Sequence, residues 1–301
     1  MGPPGHPVRW LCPFFYGETG LNKHGRSIDK TFLSIDKAEE RGLIHRDYIA
    51  HCLRWSHVAD FIRKKKRWLT ADIVDIGPGK ELPLAKTLYV NRTPPKSYTA
   101  IDVSKIEIPS MFDNSSWKPT YILEETDAAK LSPDNLYVRP NIVTCFEVIE
   151  HVEPAHARAI LERIRSWLTT EDNARAFIST PNWDPKVGAA GNHVNEMDHQ
   201  ALGAMIEDLG FGIHARHGTF ASQKDILPNM SVEDKCLFQR LSRYYDSNYL
   251  STIFAPLFPV QSRNCLWVLT KERNYDMRKF PNLRNLPHVW TSSEKWRELD
   301  G

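Results

Sequence analysis

The stretch Ile73-Val-Asp-Ile-Gly-Pro-Gly-Lys-Glu81 constrains the fold more than any other part of this chain. Asp72–Ile76 reads as a short apolar strand, Gly77-Pro78-Gly79 as a turn, and Leu82–Val90 as a helix. A glycine-rich turn between strand and helix lets backbone amides approach a ligand closely. The alternation then repeats. Strands are expected at Tyr98–Val103, Tyr121–Glu125, Asn141–Phe146 and Ala174–Ser179, with helices at Pro154–Leu168 and Asp198–Leu209. Gly210 is the natural C-cap of the last helix. With a late strand at Cys265–Thr270, this predicts an α/β fold: a doubly wound, mostly parallel sheet with an antiparallel edge strand.

A chain of 301 residues, 41% hydrophobic and 25% charged, can bury a substantial core around such a sheet. Its 39 Lys plus Arg against 37 Asp plus Glu leave +2, which excludes an overall polycation but not a local basic face. No apolar run reaches membrane-spanning length, so no membrane partner is expected. Met1–Trp10 has Pro and Gly where a secretory leader needs an apolar segment. The five cysteines show no C-x-x-C spacing, which argues against a disulfide framework or structural zinc and for a reducing, cytoplasmic setting.

Three regions are expected. Residues 1–69 form an N-terminal arm, with an apolar patch Trp10–Tyr16 and a short helix near Ile35–Arg41, leading into a helix over Asp47–Trp68. That helix ends in Arg63-Lys-Lys-Lys-Arg67, a run that suits a solvated helix C-terminus or contact with a nucleic acid. Residues 70–215 form the core. Residues 216–301 carry a cap, the late strand and a polar tail. The aromatics Phe220, Phe238, Tyr244, Tyr245, Tyr249, Phe254 and Phe258 mark a core-packed insertion, a cover over the site or a homodimer surface.

The turn narrows the ligand. A Walker P-loop needs four residues between its glycines, which this turn lacks. A dinucleotide fingerprint needs Gly or Ala where Leu82 stands, which argues against a nicotinamide cofactor. What remains is Asp75-x-Gly77-x-Gly79. About 20 residues on, Asp102 closes the second strand where a ribose-binding carboxylate belongs. Asp127 follows the third strand, placed to accept from an exocyclic amine. Glu147, Glu150 and His151 follow the fourth. One strand-terminal acid is commonly a turn cap; an ordered series along successive strand ends points to a nucleoside ligand.

Over residues 70–215 the chain resembles the class I S-adenosylmethionine-dependent methyltransferases. The likeness rests on Asp75-Ile-Gly-Pro-Gly79, Ala100-Ile-Asp102, Asp127-Ala128, Phe146-Glu-Val-Ile-Glu-His151 and Ser179-Thr-Pro-Asn182. It implies a Rossmann-like sheet of seven strands with S-adenosylmethionine as cofactor and S-adenosylhomocysteine as product. It also implies that Asp75, Gly77, Pro78 and Gly79 surround the methionine moiety and Asp102 holds the ribose. Asp127 and Ala128 would flank the adenine, and Phe146 with Glu147 would line the methyl end. Pro78 and Lys80-Glu81 depart from the commoner small residues.

The acceptor is less constrained. Pro-Pro pairs occur only at Pro3-Pro4 and Pro94-Pro95, away from the context of the amino-methylating DNA enzymes, and no Pro-Cys nucleophile exists for cytosine C5. A small-molecule oxygen or nitrogen is the expected acceptor; a nucleotide or RNA 2′-hydroxyl, or a non-catalytic cofactor-binding scaffold, are the alternatives. Glu147-x-x-Glu150-His151 also resembles the metal-binding segment of small-RNA 2′-O- and ubiquinone-pathway O-methyltransferases, with His193 able to add a ligand. The same segment occurs in metal-free members, so Glu147, Glu150, His151 and His193 read equally as pocket residues. In the polar loop Trp183–Met197, His193 is the candidate general base and His151 the second.

Overall fold

The computed structural model describes residues 46–79 and 81–272. The expected arm, the short helix near Ile35–Arg41, the tail from Tyr275 and the loop residue Lys80 lie outside the described residues. The chain begins with α1 (Arg46–Arg63) and continues through β1 (Asp72–Ile76), α2 (Pro83–Val90), β2 (Ser97–Ile101) and β3 (Tyr121–Leu123). Then follow β4 (Ile142–Phe146), α3 (Pro154–Trp167), β5 (Arg175–Pro181), α4 (His199–Asp208) and β6 (Gly212–Phe220). Three short helices, α5 (Gln223–Ile226), α6 (Val232–Leu241) and α7 (Ser247–Phe254), precede β7 (Asn264–Thr270).

The seven strands form one sheet in the order β3-β2-β1-β4-β5-β7-β6. The first five pair in parallel, and β7 runs antiparallel to both β5 and β6. Strand order reverses between β1 and β4, the crevice where open α/β sheets bind ligands at the carboxyl ends of their strands. Alternation along β1 explains the layering. Ile73 faces a core with α1 and α2, built from Val58, Ile62, Ala85, Leu88 and Tyr98. Val74 and Ile76 face the other, with Ile160, Ile164 and Trp167 of α3 and Ile206 of α4. Among the described residues no helix is long and apolar enough to cross a membrane.

Two expectations change. The region after Phe211 is not an insertion throughout. Gly212–Phe220 is a sheet strand, so a boundary at 215 would cut β6; the inserted part lies between Phe220 and β7. There Ile226, Phe238, Leu250 and Phe254 form a small core of their own, while Tyr244 and Tyr245 are exposed. The helix expected to reach Trp68 ends at Arg63. A 3-10 segment follows, in which Lys65 and Lys66 take left-handed backbone angles. Arg63 pairs with Asp60, and the Arg67 guanidinium lies 4.4 Å over the Phe61 ring. This basic run leads into the amino end of β1, opposite the carboxyl ends of the strands that build the site.

Candidate active site at the carboxyl ends of the strands

The turn after β1 uses its two glycines differently. Both have positive φ, +62° at Gly77 and +75° at Gly79, which glycine adopts at least cost. A Cβ at Gly77 would collide with Cγ2 of Val148, whereas nothing lies within 4 Å of the corresponding point at Gly79. The open side of the turn is therefore at Gly79. At Gly77 the missing side chain lets the β4 loop press against the turn. Gly77 also donates its N–H to the Ile101 carbonyl at 2.9 Å, tying the turn to the end of β2.

Asp75 is spent inside the sheet. It is buried, and its carboxylate accepts from the Tyr98 hydroxyl of β2 and, at 2.6 Å, from Thr144 of β4. Burial raises its pKa to about 6; those two hydrogen bonds oppose the rise, and Asp102 adds to it. It braces the three central strands beneath the turn. Asp102 is half-buried at the end of β2, with one oxygen accepting from the Ser104 N–H at 2.8 Å.

Asp127 caps the 3-10 turn Ala128–Lys130, accepting from Ala129 N–H at 3.0 Å, with Lys130 and His156 both within 3.3 Å. Burial pushes its carboxyl up, but the Ala129 N–H, Lys130 and His156 together outweigh this and leave its pKa lowered. Ala128 is buried behind it. Beside His156 an open depression is lined by Val152, Glu153, Ala155 and Ala159.

After β4 the backbone turns sharply at Glu147, a non-glycine residue at φ +55°. Such angles are costly for residues with a Cβ and gather at functional sites. Both carboxylate oxygens are occupied. Oε1 accepts from Ser179 at 2.8 Å and lies 3.2 Å from Arg54, and Oε2 accepts from Asn264 at 2.8 Å. Asn264 in turn accepts from Thr219 at 2.7 Å. Glu147 lies outside the group of described residues whose possible ligand atoms gather within 4.8 Å, which is Glu150, His151 and His193.

Sequence reasoning missed Arg54. The apolar stripe of α1 runs Ala50, Val58 and Ile62 at helical spacing, and Arg54 occupies the second place in it, 2% exposed. A lone cation within an apolar helix face was the available signal, because a buried charge needs a partner. Arg54 also donates to His51 Nδ1 at 2.8 Å. Burial, reinforced by the Arg54 charge, lowers the His51 pKa to about 4.

The loop after β5 brings the two candidate bases together. Val194 and Asn195 donate their N–H groups to the Glu150 carbonyl, and the Asn195 side chain donates to Ile149 O at 3.1 Å. The loop thus folds over the turn that follows β4, with the His151 and His193 rings 4.6 Å apart. His193 Nδ1 meets Glu196 Oε1 at 2.5 Å, and His151 Nδ1 meets the Asn192 carbonyl at 3.1 Å. A carbonyl or carboxylate oxygen accepts, so in both rings Nδ1 is the donor, and in the neutral ring the lone pair then lies on Nε2. Glu150 is fully buried; one oxygen accepts from Thr180 at 3.2 Å and, among the described residues, Oε1 has no hydrogen-bond partner. Burial, then the nearby Glu147 charge, raises its pKa well above the ordinary value. Glu150, His151 and His193 each offer a ligand atom within 4.8 Å of the others. Trp183, at the start of this loop, is 39% exposed, and its backbone N–H donates to the Met197 carbonyl at 3.1 Å.

Comparison with known proteins agrees with this architecture. Residues 46–226 match the family described as a methyltransferase domain. No curated protein matches significantly. Among solved structures, a magnesium protoporphyrin IX methyltransferase from Synechocystis with bound S-adenosylhomocysteine aligns at 14% identity over 73% of this chain and 83% of its own, TM-score 0.46. A 1,6-didemethyltoxoflavin-N1-methyltransferase from Burkholderia thailandensis aligns at 12% over 79% and 85%, TM-score 0.45. A methyltransferase from Archaeoglobus fulgidus aligns at 15% over 78% and 97%, TM-score 0.43. With the matched domain covering more than half of its length and a mostly parallel sheet of seven strands, the chain belongs to the methyltransferase family and is a class I S-adenosylmethionine-dependent methyltransferase.

Proposed function

We propose that this enzyme methylates an oxygen or nitrogen of a small molecule held between the β4 turn and the loop Trp183–Met197. The supporting observation is the histidine pair. Glu196 orients His193 through Nδ1, leaving Nε2 as a lone pair able to remove the acceptor's proton. In this reading the turn at Gly79 takes the methionine moiety, Asp102 the ribose, and Asp127 with Ala128 the adenine. Methyl transfer is an in-line displacement, so the main work of the protein is alignment.

The test is methyl-labelled S-adenosylmethionine incubated with cell extract separated into small-molecule and RNA fractions. Label is expected in the small-molecule fraction; label confined to RNA would overturn the acceptor class. His193→Ala should lower the labelling rate by about 10²–10⁴-fold while S-adenosylhomocysteine affinity stays intact. Loss of that affinity, or full turnover, would make His193 a structural residue and leave His151 as the candidate base.

A second reading adds a divalent cation, favoured by the unpartnered Glu150 oxygen beside two imidazoles with fixed tautomers. One carboxylate with two imidazoles suits ions such as Mn, Fe or Zn, and a bound ion would make an acceptor hydroxyl more acidic. Glu150, His151 and His193 would hold it, with Glu196 and the Asn192 carbonyl orienting the imidazoles. Calorimetry with Mn²⁺ should then show binding that Glu150→Gln abolishes. Turnover undiminished by excess chelator would return the three residues to the metal-free reading.

A further inference from the structure

The buried ion pair between Arg54 and Glu147 is poorly explained by stability. Replacing such a pair with apolar residues of similar volume is commonly neutral or stabilising. Here Arg54 takes a place in the apolar stripe of α1 that an aliphatic side chain would fill, and among the described residues its Nε has no hydrogen-bond partner. The pair is nonetheless held from several directions: Ser179 on β5, Asn264 on β7 and, through Asn264, Thr219 on β6. Its acid sits on a left-handed residue next to Val148, whose side chain presses on the glycine turn at Gly77. The Glu147 side chain is 23% exposed, so one side of this anion remains open.

We propose that Arg54 is a positioning residue for the methyl transfer, neutralising and fixing Glu147 so that no uncompensated carboxylate faces the sulfonium of S-adenosylmethionine. This rests on the reading that Glu147 lines the methyl end of the cofactor. In the transfer, the acceptor's lone pair forms the bond to the methyl carbon and the carbon–sulfur pair returns to sulfur. The positive charge leaves sulfur for the acceptor, which sheds it as a proton. An unpaired carboxylate beside the sulfonium would hold the charged ground state more strongly than the transition state, in which that charge is dispersing, and so slow the step. Arg54 cancels that hold while Glu147 keeps its orienting hydrogen bonds. A first helix lying before β1 thereby sets the electrostatics of a site built at the far ends of the strands.

The experiment compares a cationic with a neutral cofactor analogue. Sinefungin carries an ammonium group near the sulfonium position, and S-adenosylhomocysteine a neutral thioether. Both are titrated by calorimetry into the wild type, Arg54→Met, Arg54→Lys, Glu147→Gln and the Arg54→Met/Glu147→Gln double variant, each checked for a cooperative thermal transition. Arg54→Met should raise the sinefungin preference about tenfold or more, the scale of one uncompensated charge near a partly screened site. Glu147→Gln should lower it by a similar factor. Arg54→Lys and the double variant should stay near the wild-type ratio.

A purely structural pair would weaken both ligands together and leave every ratio unchanged, which would overturn the proposal. If Arg54→Met does not fold, Glu147→Gln and the double variant decide: a ratio lowered in the first and restored in the second supports it, and equal ratios refute it. Should Glu147→Gln shift the ratio while a folded Arg54→Met does not, the placement of Glu147 stands and the role of Arg54 fails. Ratios untouched by any variant, with Asp102→Ala still weakening both ligands, would mean that Glu147 does not face the methyl end.

Discussion

Asp75 and Asp102 both end strands of the same crevice, yet their carboxylates have different neighbours. Asp75 is enclosed, its oxygens taken by Tyr98 and Thr144, so its substitution would loosen three strands at once. Asp102 is half-buried, and the side-chain hydrogen bond it makes to its own chain is to the neighbouring Ser104 N–H. Removing the Asp102 carboxylate should therefore spare the fold and reach the ligand. Hydrogen bonds to a charged group contribute about 1.5–3 kcal/mol, so Asp102→Ala should weaken S-adenosylhomocysteine at least about tenfold. Calorimetry is the measurement, and an unchanged affinity in a folded variant would remove Asp102 from the ribose site. The two glycines show the same division. The sequence suggested that both cradle the ligand, whereas at Gly77 the space a side chain would need is filled by Val148.

At the scale of elements, most strands and helices were legible because their apolar runs are nearly continuous, broken only by Asp75 in Ile73–Ile76 and by Thr144 in Ile142–Phe146. β6 was not. Its His214, Arg216 and His217 break the apolar pattern that marks a strand, although Arg216 is fully buried over the Trp267 ring, 5.1 Å from its centroid. The acids of the site could be read one by one from strand ends. Arg54 showed only as a lone cation in an apolar helix face; its partner Glu147 is far away in sequence and is brought near by the packing of α1. Periodicity could not reveal that β6 closes tightly against the segment following α7. At Gly218 a Cβ would collide with Ser262 Oγ and the Ala255 carbonyl, and backbone cannot yield as a flexible side-chain tip can. Gly218→Ala should then cost about 1–3 kcal/mol, the usual scale of overpacking, while S-adenosylhomocysteine still binds the folded fraction. Urea unfolding reads this directly, and an undisturbed midpoint would show that the inserted helices are not rigidly seated on the sheet.

Across the whole molecule, buried histidines dominate the response to acid. Burial is the first cause for each: it lowers His51 to about 4, His57 to about 4 and His214 to about 3, and takes His199 well below its usual value. Neighbouring arginines or lysines deepen every one of these shifts. A histidine whose folded pKa is depressed binds its proton more readily once unfolded. The stability it contributes is complete above about pH 6.5 and is lost as pH falls towards the folded value. Asp75 works in the opposite sense: raised to about 6, it holds a proton in the fold that the unfolded chain releases, so it favours the fold towards acid. Glu150 acts in the same direction as Asp75. Near pH 5, among the described residues, four histidines gaining protons on unfolding outnumber two acids losing them, so unfolding takes up protons on balance. The melting temperature should accordingly fall steadily between pH 6.5 and 4.5, and His214→Asn should flatten that slope. Calorimetric melting at half-unit pH steps, without added metal, checks both; a melting temperature constant over this interval would mean these imidazoles are not held neutral by the fold.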